Sequence, residues 1–424
     1  MKVLVVGGGG REHALVWALR RDHPAVRVFC CPGNAGTAEL ATNLPIPADA
    51  IDELVTAGEA HQIDLVVVGP ENALALGLAD RLRARGRLVF GPSQAAAQIE
   101  ASKAFAKDVM AAAGVATAQS QTFTNLDRAL QYVNAHPEPL VVKASGLAAG
   151  KGAVVCATRP EARQVLRSML GEGSFGDAGR TVVVESFLEG EELSVLAITN
   201  GEDARILPSA QDHKRLLEGD RGPNTGGMGA YSPVALETPE LLEKVRTRVL
   251  LPTLAELDRR GARFAGVLYA GLMIDPAGEP WVIEFNCRFG DPETQVILPR
   301  LTSGLTEALL ASALGKPIPP FQVGSEAAVT TVLAARGYPD HPQKGAAITI
   351  PKNLPINTLV FHAGTERDEK GVLRSSGGRV LAVTGLGASF REAQLVSRSA
   401  AELINFEGKQ YRRDVGWRES QRGM

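Results

Sequence analysis

The sequence predicts a multidomain α/β protein, and two patterns carry that prediction. Short β-branched runs such as KVLVV, DLVVV and RLVF each break at Gly, Pro or Asn, and stretches with apolar residues at helical spacing separate them. Strands that alternate with helices favour a parallel sheet with helices packed on it. The chain has 424 residues, and at about 150 residues per domain this length accommodates roughly three domains.

The N-terminal segment predicts a strand, a glycine turn and a helix. KVLVV leads into Gly7–Gly10, and REHALVWALRR follows at helical spacing. The turn departs from the dinucleotide fingerprint because Glu12 occupies the sixth position and no acidic residue follows the second strand at Cys30 and Cys31. Its free amides, the helix dipole and the charge of Arg11 suit a phosphate monoester. A plain tight turn stays open as the alternative.

The middle of the chain has the texture of an α+β unit. An Ala-rich helix runs from Ser102 to Ala113, and PLVVKASGLAAGKGAVV then predicts two strands around a glycine loop. TVVVESFLEGEELSVLAIT supplies two more strands, and GVLYAGLMIDPAGEPWVIEFN predicts an antiparallel hairpin. From about Ala327, short strands return, and a final helix begins near Ser389.

A lysine and a glycine loop in this unit indicate a phosphate site. Lys143 shares a strand face with Val141, and a lysine there is unusual unless an anion pairs with it. Lys151 lies on the loop that follows, whose amides are free for phosphate oxygens. The loop kinks at four small residues, Gly146, Ala149, Gly150 and Gly152. It is not a P-loop, since Gly follows Lys151 where Ser or Thr would stand, and a structural hairpin loop remains possible.

The strand WVIEFN predicts a metal site. Alternation places Glu284 and Asn286 on one face together with Val282. Two oxygen ligands suit Mg²⁺, which completes its shell with phosphates and water. The turn CRFGDPET then brings in Arg288 and Asp291, and the arginine fork fits carboxylate or phosphate oxygens. A polar stripe on an edge strand is the alternative.

Composition and missing motifs exclude several classes of protein. Lys and Arg number 45 against 47 Asp and Glu, too balanced for binding to nucleic acid or to an anionic membrane. Four cysteines form no disulfide framework, and no apolar stretch has spanning length, so we expect a soluble cytoplasmic protein. HExxH, CxxC and GxSxG are absent, which argues against zinc and acyl-serine chemistry. Cys287 is expected to pack, and His213 alone among the histidines is held open for a role in the site.

The motifs, taken in chain order, resemble the phosphoribosylamine–glycine ligase family, ATP-grasp enzymes of purine biosynthesis. They are GGGGREHAL, PGNAGT, VGPE, FGPS, the SKAFAK run, GLAAGKG, SFGDAG, QDHKR, GPNTGGMGAYSP, GLMID, EFNCRFGDPETQ, HAGT, GGRVL and DVGWR. The resemblance implies a Rossmann-like N-terminal substrate-binding domain over 1–101 and an ATP-grasp core over 102–326, with a mobile subdomain at about 119–190. A C-terminal α/β domain over 327–424 completes the implied organisation.

The resemblance also implies a reaction. ATP and a divalent metal, Mg²⁺ or Mn²⁺, phosphorylate the carboxylate of glycine, and the amine of 5-phosphoribosylamine attacks the glycyl phosphate to give the amide, ADP and phosphate. Cations must meet the charge on the transferred phosphoryl group, so lysines, metal and arginine matter more than a general base. The family resemblance further implies a monomer or weak homodimer with small-molecule partners.

Residue by residue, the resemblance implies these roles. The catalytic residues are Arg288 and Lys143. ATP is held by Lys103, Lys143, Ser145, Gly146, Gly150, Lys151, Gly152, Glu185, Phe187, Leu188 and Glu192. The metal is held by Glu284 and Asn286. The other substrates are held by Gly9, Arg11, Gly33, Asn34, Asp212, Asn224, Thr225, Gly226, Gly227, Met228, Gly229, Arg288 and Asp291.

Three positions depart from the family pattern, and three other functions stay open. Ser145 stands where Asp is usual, Ser186 where a second Glu often follows, and Ser376 where Asn commonly precedes GGRVL. Ser145 removes a charge at the mouth of the phosphate loop. The alternatives are another ATP-grasp ligase or carboxylase, a non-catalytic nucleotide-binding module, and an NAD oxidoreductase.

Overall fold

The computed structural model describes residues 1–148 and 151–423. Its N-terminal part is a parallel sheet in the order β3-β2-β1-β4-β5, as the alternating strands and helices predict. The elements are β1 Lys2–Gly7, α1 Gly10–Asp22, β2 Arg27–Pro32, α2 Thr37–Leu40, β3 Thr42–Asn43, α3 Ile51–Ala60, β4 Leu65–Val68, α4 Glu71–Ala75, α5 Leu78–Ala84, β5 Leu88–Phe90 and α6 Gln94–Ala101. Helices cover both faces, which is why the valine runs of β1 and β4 are fully buried.

The strand order of this sheet reverses between β1 and β4. The chain builds outward from β1 to β3 and then crosses to β4 on the other side. The loops that follow β1 and β4 therefore diverge at one edge of the sheet, where open α/β sheets bind ligands. Arg11 lies in the first turn of α1, and Glu71 is the first residue of α4, so both lie at this edge.

The next segment contains an antiparallel sheet with its own core. The elements are α7 Lys103–Ala113, β6 Ser120–Phe123, α8 Leu126–Ala135, β7 Leu140–Ala144, β8 Ala153–Cys156, α9 Arg159–Leu166 with a π-helical turn Arg167–Gly171, a 3-10 turn Gly176–Gly179, and β9 Val182–Ser186. The sheet order is β6-β9-β7-β8. Val142 and Val184 pack against α9 and Met169 in a separate hydrophobic cluster, so this sheet is a small packing unit.

The middle segment also contains a second antiparallel sheet, in the order β11-β10-β16-β17. The elements are β10 Glu191–Thr199, β11 Ala204–Ile206, β12 Gln211–Asp212, β13 Arg215–Leu217, β14 Arg221–Asn224, β15 Gly229–Ser232, α10 Pro239–Val245 with a π-helical turn Arg246–Leu250, α11 Leu251–Arg259, β16 Gly266–Ile274, β17 Pro280–Asn286, α12 Thr294–Arg300, β18 Leu301–Ser303, α13 Leu305–Ala313 and β19 Gln322–Val323. The predicted hairpin is β16–β17.

A bulge in β17 decides which side chains reach the site. Glu284 pairs with Gly271, whereas Val282 pairs with Leu272, so Ile283 is one extra residue between them. Val282 consequently packs in the core, and Glu284 and Asn286 line a cavity on the other side. The prediction that Val282 shares their face is wrong because it assumes unbroken alternation.

The C-terminal sheet recruits strands from the middle segment. The elements here are β20 Ala327–Ala334, β21 Thr358–His362, β22 Thr365–Arg367, β23 Leu373–Ser375, β24 Arg379–Gly387, α14 Phe390–Leu403 and α15 Trp417–Gln421. The sheet order is β12-β15-β20-β24-β21, so β12 and β15 join strands that follow residue 326. Hydrogen bonds between strands thus cross the boundary expected from the sequence.

Two further features concern the whole described chain. Within these residues, none of the helices combines the length and apolar character needed to cross a membrane. Cys30, Cys31, Cys156 and Cys287 are all free and buried. Cys287 lies in the hydrophobic core, in agreement with the packing role expected for it.

Candidate active site

A cavity of about 840 Å³ lies where the two antiparallel sheets meet the N-terminal and C-terminal parts of the chain. Most of the predicted site residues line it, namely Arg11, Lys103, Lys143, Lys151, Gly152, Glu185, Phe187, Leu188, Glu192, Asp212, Asn224, Thr225, Gly226, Glu284, Asn286, Arg288 and Asp291. The fold therefore gathers residues from distant segments into one site.

Lysines converge at one end of the cavity. Lys143 is only 4% exposed, and its Nζ lies 2.9 Å from Oε2 of Glu185 and donates to the carbonyl of Ile283 at 3.0 Å. Nζ of Lys107 lies 3.2 Å from the other oxygen of Glu185. Burial, the largest effect, lowers the pKa of Lys107 to about 8, against the attraction of Glu185. An ammonium group has three donors, so one N–H of Lys143 remains available to a ligand.

The glycine loop joins this end of the cavity to the C-terminal part. Nζ of Lys151 lies 3.0 Å from Oδ1 of Asp340 and donates to the carbonyl of Pro339 at 3.1 Å. At the base of the loop, the hydroxyl of Ser145 is buried and accepts from the amide of Ala104 at 3.1 Å. Ser145 thus ties the loop to the N-terminus of α7. Gly150 lies outside the described residues.

An apolar wall adjoins the lysines and suits a flat aromatic base. Phe187 and Leu188 follow β9, and Val155 and Met110 line the same cavity. Glu192 accepts from Nζ of Lys214 at 2.5 Å. A concave site with apolar walls and a few fixed polar groups is the usual form of a nucleotide pocket.

Glu284 and Asn286 fit a hard divalent cation. Burial alone would raise the pKa of the Glu284 carboxyl, but Lys103, Lys214, Lys143 and Arg288 hold it below the ordinary value. Across the described residues, no group of three or more His, Cys, Asp or Glu side chains is arranged to bind a metal. Two protein oxygens suit a cation that takes its remaining ligands from phosphates and water.

Asp212 is an acidic group without a hydrogen-bond donor among the described residues. It lies near Lys214, Glu293 and Glu284, and burial is the main reason that its pKa is raised to about 8. The nearby carboxylates raise the pKa further, whereas Lys214 lowers it. A cationic ligand would relieve this repulsion.

The far end of the cavity is closed by residues of the C-terminal part. Arg379 lies 3.1 Å from Oδ2 of Asp291 and also donates to the carbonyl of Gly226. The amide of Gly226 donates to the hydroxyl of Tyr338 at 2.9 Å. Gly227 has a φ of +108°, and a Cβ there would lie 2.4 Å from Cδ of Pro292, so no larger residue fits this turn.

Comparison with known proteins agrees with this geometry. Residues 1–100, 101–294 and 328–418 match the N domain, the ATP-grasp (A) domain and the C domain of phosphoribosylglycinamide synthetase. The phosphoribosylamine–glycine ligase of Nostoc is 49% identical over 424 residues, covering 99% of both chains. That of Neisseria meningitidis serogroup B is 47% identical over 416 residues, covering 98% of both.

The chain belongs to the phosphoribosylamine–glycine ligase family.

Solved structures extend the comparison to the fold. The phosphoribosylamine–glycine ligase of Thermotoga maritima superposes with a TM-score of 0.86 at 37% identity, covering 98% of this chain and all of that one. A biotin carboxylase domain of Hydrogenobacter thermophilus 2-oxoglutarate carboxylase, crystallised with MgADP and bicarbonate, has a TM-score of 0.73 at 18% identity. The superposition covers 97% of this chain and 91% of that domain, and it shows that the two proteins share a fold.

Membership of the phosphoribosylamine–glycine ligase family establishes the reaction. The enzyme joins glycine to 5-phosphoribosylamine in purine biosynthesis, using ATP and a divalent metal, through a glycyl phosphate. The NAD oxidoreductase and the non-catalytic nucleotide-binding module, both open on the sequence, are thereby set aside.

Several residues predicted to bind ligands do not line the cavity in this structure. They are Gly9, Gly33, Asn34, Ser145, Gly146, Gly227, Met228 and Gly229. Asn34 donates to the carbonyls of Gly8 and His362 and accepts from the amides of Gly36 and Thr37. The side-chain carboxamide of Asn34 is therefore hydrogen-bonded within the protein, and it connects the N-terminal loop to the C-terminal part.

His213, which the sequence left open for a role in the site, is buried and neutral. Burial, reinforced by Arg412, lowers its pKa to about 3. Its Nε2 accepts from the amide of Gly416 at 3.0 Å, so the proton is on Nδ1. The histidine fastens the QDHKR segment to the C-terminal DVGWR segment.

Sequence reasoning missed other residues that line the cavity. They are Glu71, Glu100, Lys107, Lys214, Tyr269, Arg379 and Arg418. Lys107 follows Lys103 by one helical turn in the SKAFAK run, a spacing that signals a shared face. Glu100 carries no such signal, because it is one acidic residue in the last turn of an otherwise ordinary helix.

Proposed function

We propose that Lys103, Lys143 and Lys151 hold the phosphates of ATP, while Phe187 and Leu188 contact the adenine. Lys103 and Lys143 lie near Glu284, and all three lysines line the same cavity. This convergence of cations, from α7, β7 and the glycine loop, is the observation that carries the proposal. It supports electrostatic stabilisation of the transferred phosphoryl group.

Glu284 and Asn286 would hold Mg²⁺ or Mn²⁺. When bound, the cation would neutralise charge on the phosphates. Asn286 follows Glu284 on the cavity side of β17, which supports a joint role. Substituting Mn²⁺ for Mg²⁺ in the assay below measures the preference between the two metals.

Arg288 and Asp212 are proposed to hold glycine by its two ends. The guanidinium suits the carboxylate, and the unpaired carboxyl of Asp212 suits the ammonium. A carboxylate oxygen of glycine then attacks the γ-phosphorus, and the bond to the bridging oxygen breaks to release ADP. The amine of phosphoribosylamine attacks the acyl carbon, phosphate leaves, and the nitrogen loses a proton.

The phosphoribosylamine is proposed to occupy the end near Arg11, Asp291 and the loop from Asn224 to Gly226. These residues line the cavity beyond Arg288. Gly9, Gly33, Asn34 and residues 227–229 would then support that loop and its neighbours from behind. The packing of Gly227 against Pro292 supports this role.

The domain boundaries at 1–101, 102–326 and 327–424, with a mobile subdomain at about 119–190, stay proposals. The separate core around Val142 and Val184 supports the subdomain. We propose a monomer or weak homodimer, as the family resemblance implies. The four free cysteines support a reducing compartment, the cytoplasm. Sedimentation at several concentrations measures the oligomeric state.

One assay tests the assignment of the two ends of glycine. The purified enzyme is given ATP, Mg²⁺, glycine and freshly made phosphoribosylamine, and ADP and the amide are both followed. Asp212→Asn is expected to raise the KM of glycine at least roughly tenfold and to leave the KM of ATP within about twofold, since a charge-assisted hydrogen bond to the ammonium is replaced by a weaker neutral one. An unchanged glycine KM would overturn the role of Asp212.

A further inference from the structure

Arg288 has most of its donors occupied by protein groups. Its Nη2 donates to Oε1 of Glu100 at 2.7 Å and to Oδ1 of Asn286 at 3.1 Å. Its Nε donates to Oε2 of Glu71 at 3.2 Å, and its Nη1 donates to the carbonyl of Phe289 at 3.3 Å. A guanidinium has five N–H groups. Counting acceptors over residues 1–148 and 151–423 therefore leaves one N–H, on Nη1, for a ligand.

Glu100 holds two neighbouring parts of the chain at once. Its Oε2 accepts from the backbone amide of Cys287 at 2.7 Å, while Oε1 takes the guanidinium of Arg288. The Glu100 side chain is 7% exposed and that of Arg288 is 16% exposed. The carboxylate of Glu100 thus holds both the backbone amide of Cys287 and the side chain of the next residue, Arg288.

Glu71 contributes the second carboxylate from a different element. It is the first residue of α4, where the helix dipole favours a negative charge. Its side chain is 30% exposed, so it is the more solvated member of the pair. Both carboxylates belong to the N-terminal part of the chain, whereas Arg288 follows β17 of the middle sheet.

A second guanidinium, that of Arg11, lies beside that of Arg288. Nη1 of Arg11 donates to the carbonyl of Phe289 at 3.1 Å, and Nη1 of Arg288 donates to the same oxygen. The two guanidinium groups, which both belong to residues lining the cavity, therefore converge on one carbonyl. Nε of Arg11 also pairs with Oε1 of Glu12 at 2.6 Å, so three carboxylates, Glu12, Glu71 and Glu100, hold the two guanidinium groups close together.

Charge neutralisation alone does not require this arrangement. Burying an ion pair is expensive, and an apolar replacement is often as stable. A bidentate grip on Arg288 and on the preceding amide instead restricts the guanidinium to one orientation, which is what a reacting centre needs.

We infer that Glu100, assisted by Glu71, is a positioning residue for Arg288, orienting the guanidinium so that its free Nη1 N–H meets the carboxylate of glycine and then the acyl phosphate. This inference rests on the proposed role of Arg288 and deepens it. It makes the N-terminal part of the chain a working component of the glycine site. In this role Glu100 acts through Arg288 rather than by contact with substrate.

Glu100→Gln is the informative variant. A carboxamide keeps one acceptor oxygen, but its NH₂ group must face either the Cys287 amide or the Arg288 guanidinium, both of which are donors. We expect kcat/KM for glycine to fall roughly 10- to 100-fold, the scale of losing a hydrogen bond to a charged group, while the KM of ATP stays within about twofold. Glu71→Gln, which keeps an acceptor for its single bond, should lose less.

A double-mutant cycle separates positioning from a structural role. Because Glu100 acts through Arg288, adding Glu100→Gln to Arg288→Ala should change kcat/KM for glycine by less than about twofold. Additive losses would overturn the inference. The matched control is Glu256→Gln, since Glu256 is also buried and also holds two arginines, Arg259 and Arg260, away from the cavity. That control should leave the glycine KM unchanged.

Each failure has a distinct signature. If Arg288→Ala leaves the glycine KM unchanged, the proposed function of Arg288 is wrong. If Arg288→Ala lowers kcat/KM for glycine while Glu100→Gln, folded by circular dichroism, does not, only the positioning inference is overturned. The inference would also be overturned if the fall in kcat/KM of Glu100→Gln were explained by a lower unfolding midpoint and Glu256→Gln showed an equal fall.

Discussion

Nη2 of Arg288 donates a hydrogen bond to Oδ1 of Asn286 over 3.1 Å. The group proposed to hold the glycine carboxylate is therefore bonded to the oxygen proposed to hold the metal. An amide oxygen has two lone pairs, so Asn286 can accept from Arg288 and still bind a cation. Oδ1 of Asn286 thus belongs to both proposed subsites. Because Asn286 is neutral, Glu284 supplies the negative charge of the proposed metal site.

We predict that Glu284→Gln lowers kcat at least roughly 10²-fold, the scale of one lost electrostatic contact in the transition state. The substitution keeps the size of the side chain and removes the charge that neutralises the cation. Steady-state turnover against metal concentration checks this, with circular dichroism to verify folding. Glu279→Gln is the control, since Glu279 pairs with Lys244 and Arg248 outside the cavity. Normal turnover in the Glu284 variant would mean that the metal site is misplaced.

Asp340 forms an ion pair with Lys151, and we expect it to compete with the phosphates of ATP for that lysine. The side chain of Lys151 is 39% exposed and that of Asp340 is 66% exposed. Exposed ion pairs of this kind contribute about 0–1 kcal/mol of interaction free energy. Asp340→Asn should therefore lower the KM of ATP by at most roughly fivefold, with a smaller effect at high salt. ATP titrations at two ionic strengths measure this. Asp177→Asn, which breaks the exposed pair with Arg180, should change nothing, and a raised ATP KM in the Asp340 variant would contradict the competition.

Buried neutral histidines should make the enzyme sensitive to acid. Burial is the main cause that lowers the pKa of His13 to about 3 and that of His362 to about 4. A lowered pKa in the folded state means that stability is complete above the unfolded value, near 6.5, and falls with pH below it. The unfolded chain then takes up a proton that the folded chain refuses, at about 1.4 kcal/mol per pH unit for each histidine.

His362→Gln should remove one such proton. We expect the free energy of unfolding to fall less steeply between about pH 6.5 and 4.5, with the slope reduced by about 1.4 kcal/mol per pH unit. Urea unfolding at a series of pH values measures it. Above pH 7 the two proteins should differ by a constant amount, and an unchanged slope at low pH would show that His362 is not neutral when folded.

The C-terminal DVGWR segment is held by a fully buried arginine. Arg412 lies 2.8 Å from carboxylate oxygens of both Asp220 and Asp414, and Arg418 also reaches Asp220. Removing one partner of a buried pair typically costs about 3–5 kcal/mol. Arg412→Met should lower the unfolding midpoint. It should also raise the KM of phosphoribosylamine, because Asp220 lies between β13 and β14, next to the loop from Asn224 to Gly226 that we propose binds this substrate.

The neighbouring residue provides the comparison for this prediction. Arg413 is exposed and stacks on Tyr411. Arg413→Met should change the unfolding midpoint by only a small amount. Calorimetry and substrate kinetics on both variants decide the matter, and equal effects at the two positions would rule out a specific role for the buried pair.

The sequence by itself determined the elements and most of the residues of the site. Periods of two and 3.6 residues are local, so KVLVV, REHALVWALRR and the hairpin ending in WVIEFN could be assigned from neighbouring residues alone. The long motifs were enough to indicate the family. Lys143 was expected to need an anion because it lies in an apolar strand, and it lines the cavity beside Glu185.

Only the tertiary structure decided how these parts meet. The bulge at Ile283 depends on pairing with β16, which the alternation of one strand does not encode. Glu71 and Glu100 reach Arg288 across 217 and 188 residues of chain, and neither carries a local signal for that contact. β12 and β15 join the C-terminal sheet because they find their hydrogen-bond partners there. Such contacts exist only after distant elements pack, since packing alone brings their polar groups within bonding distance.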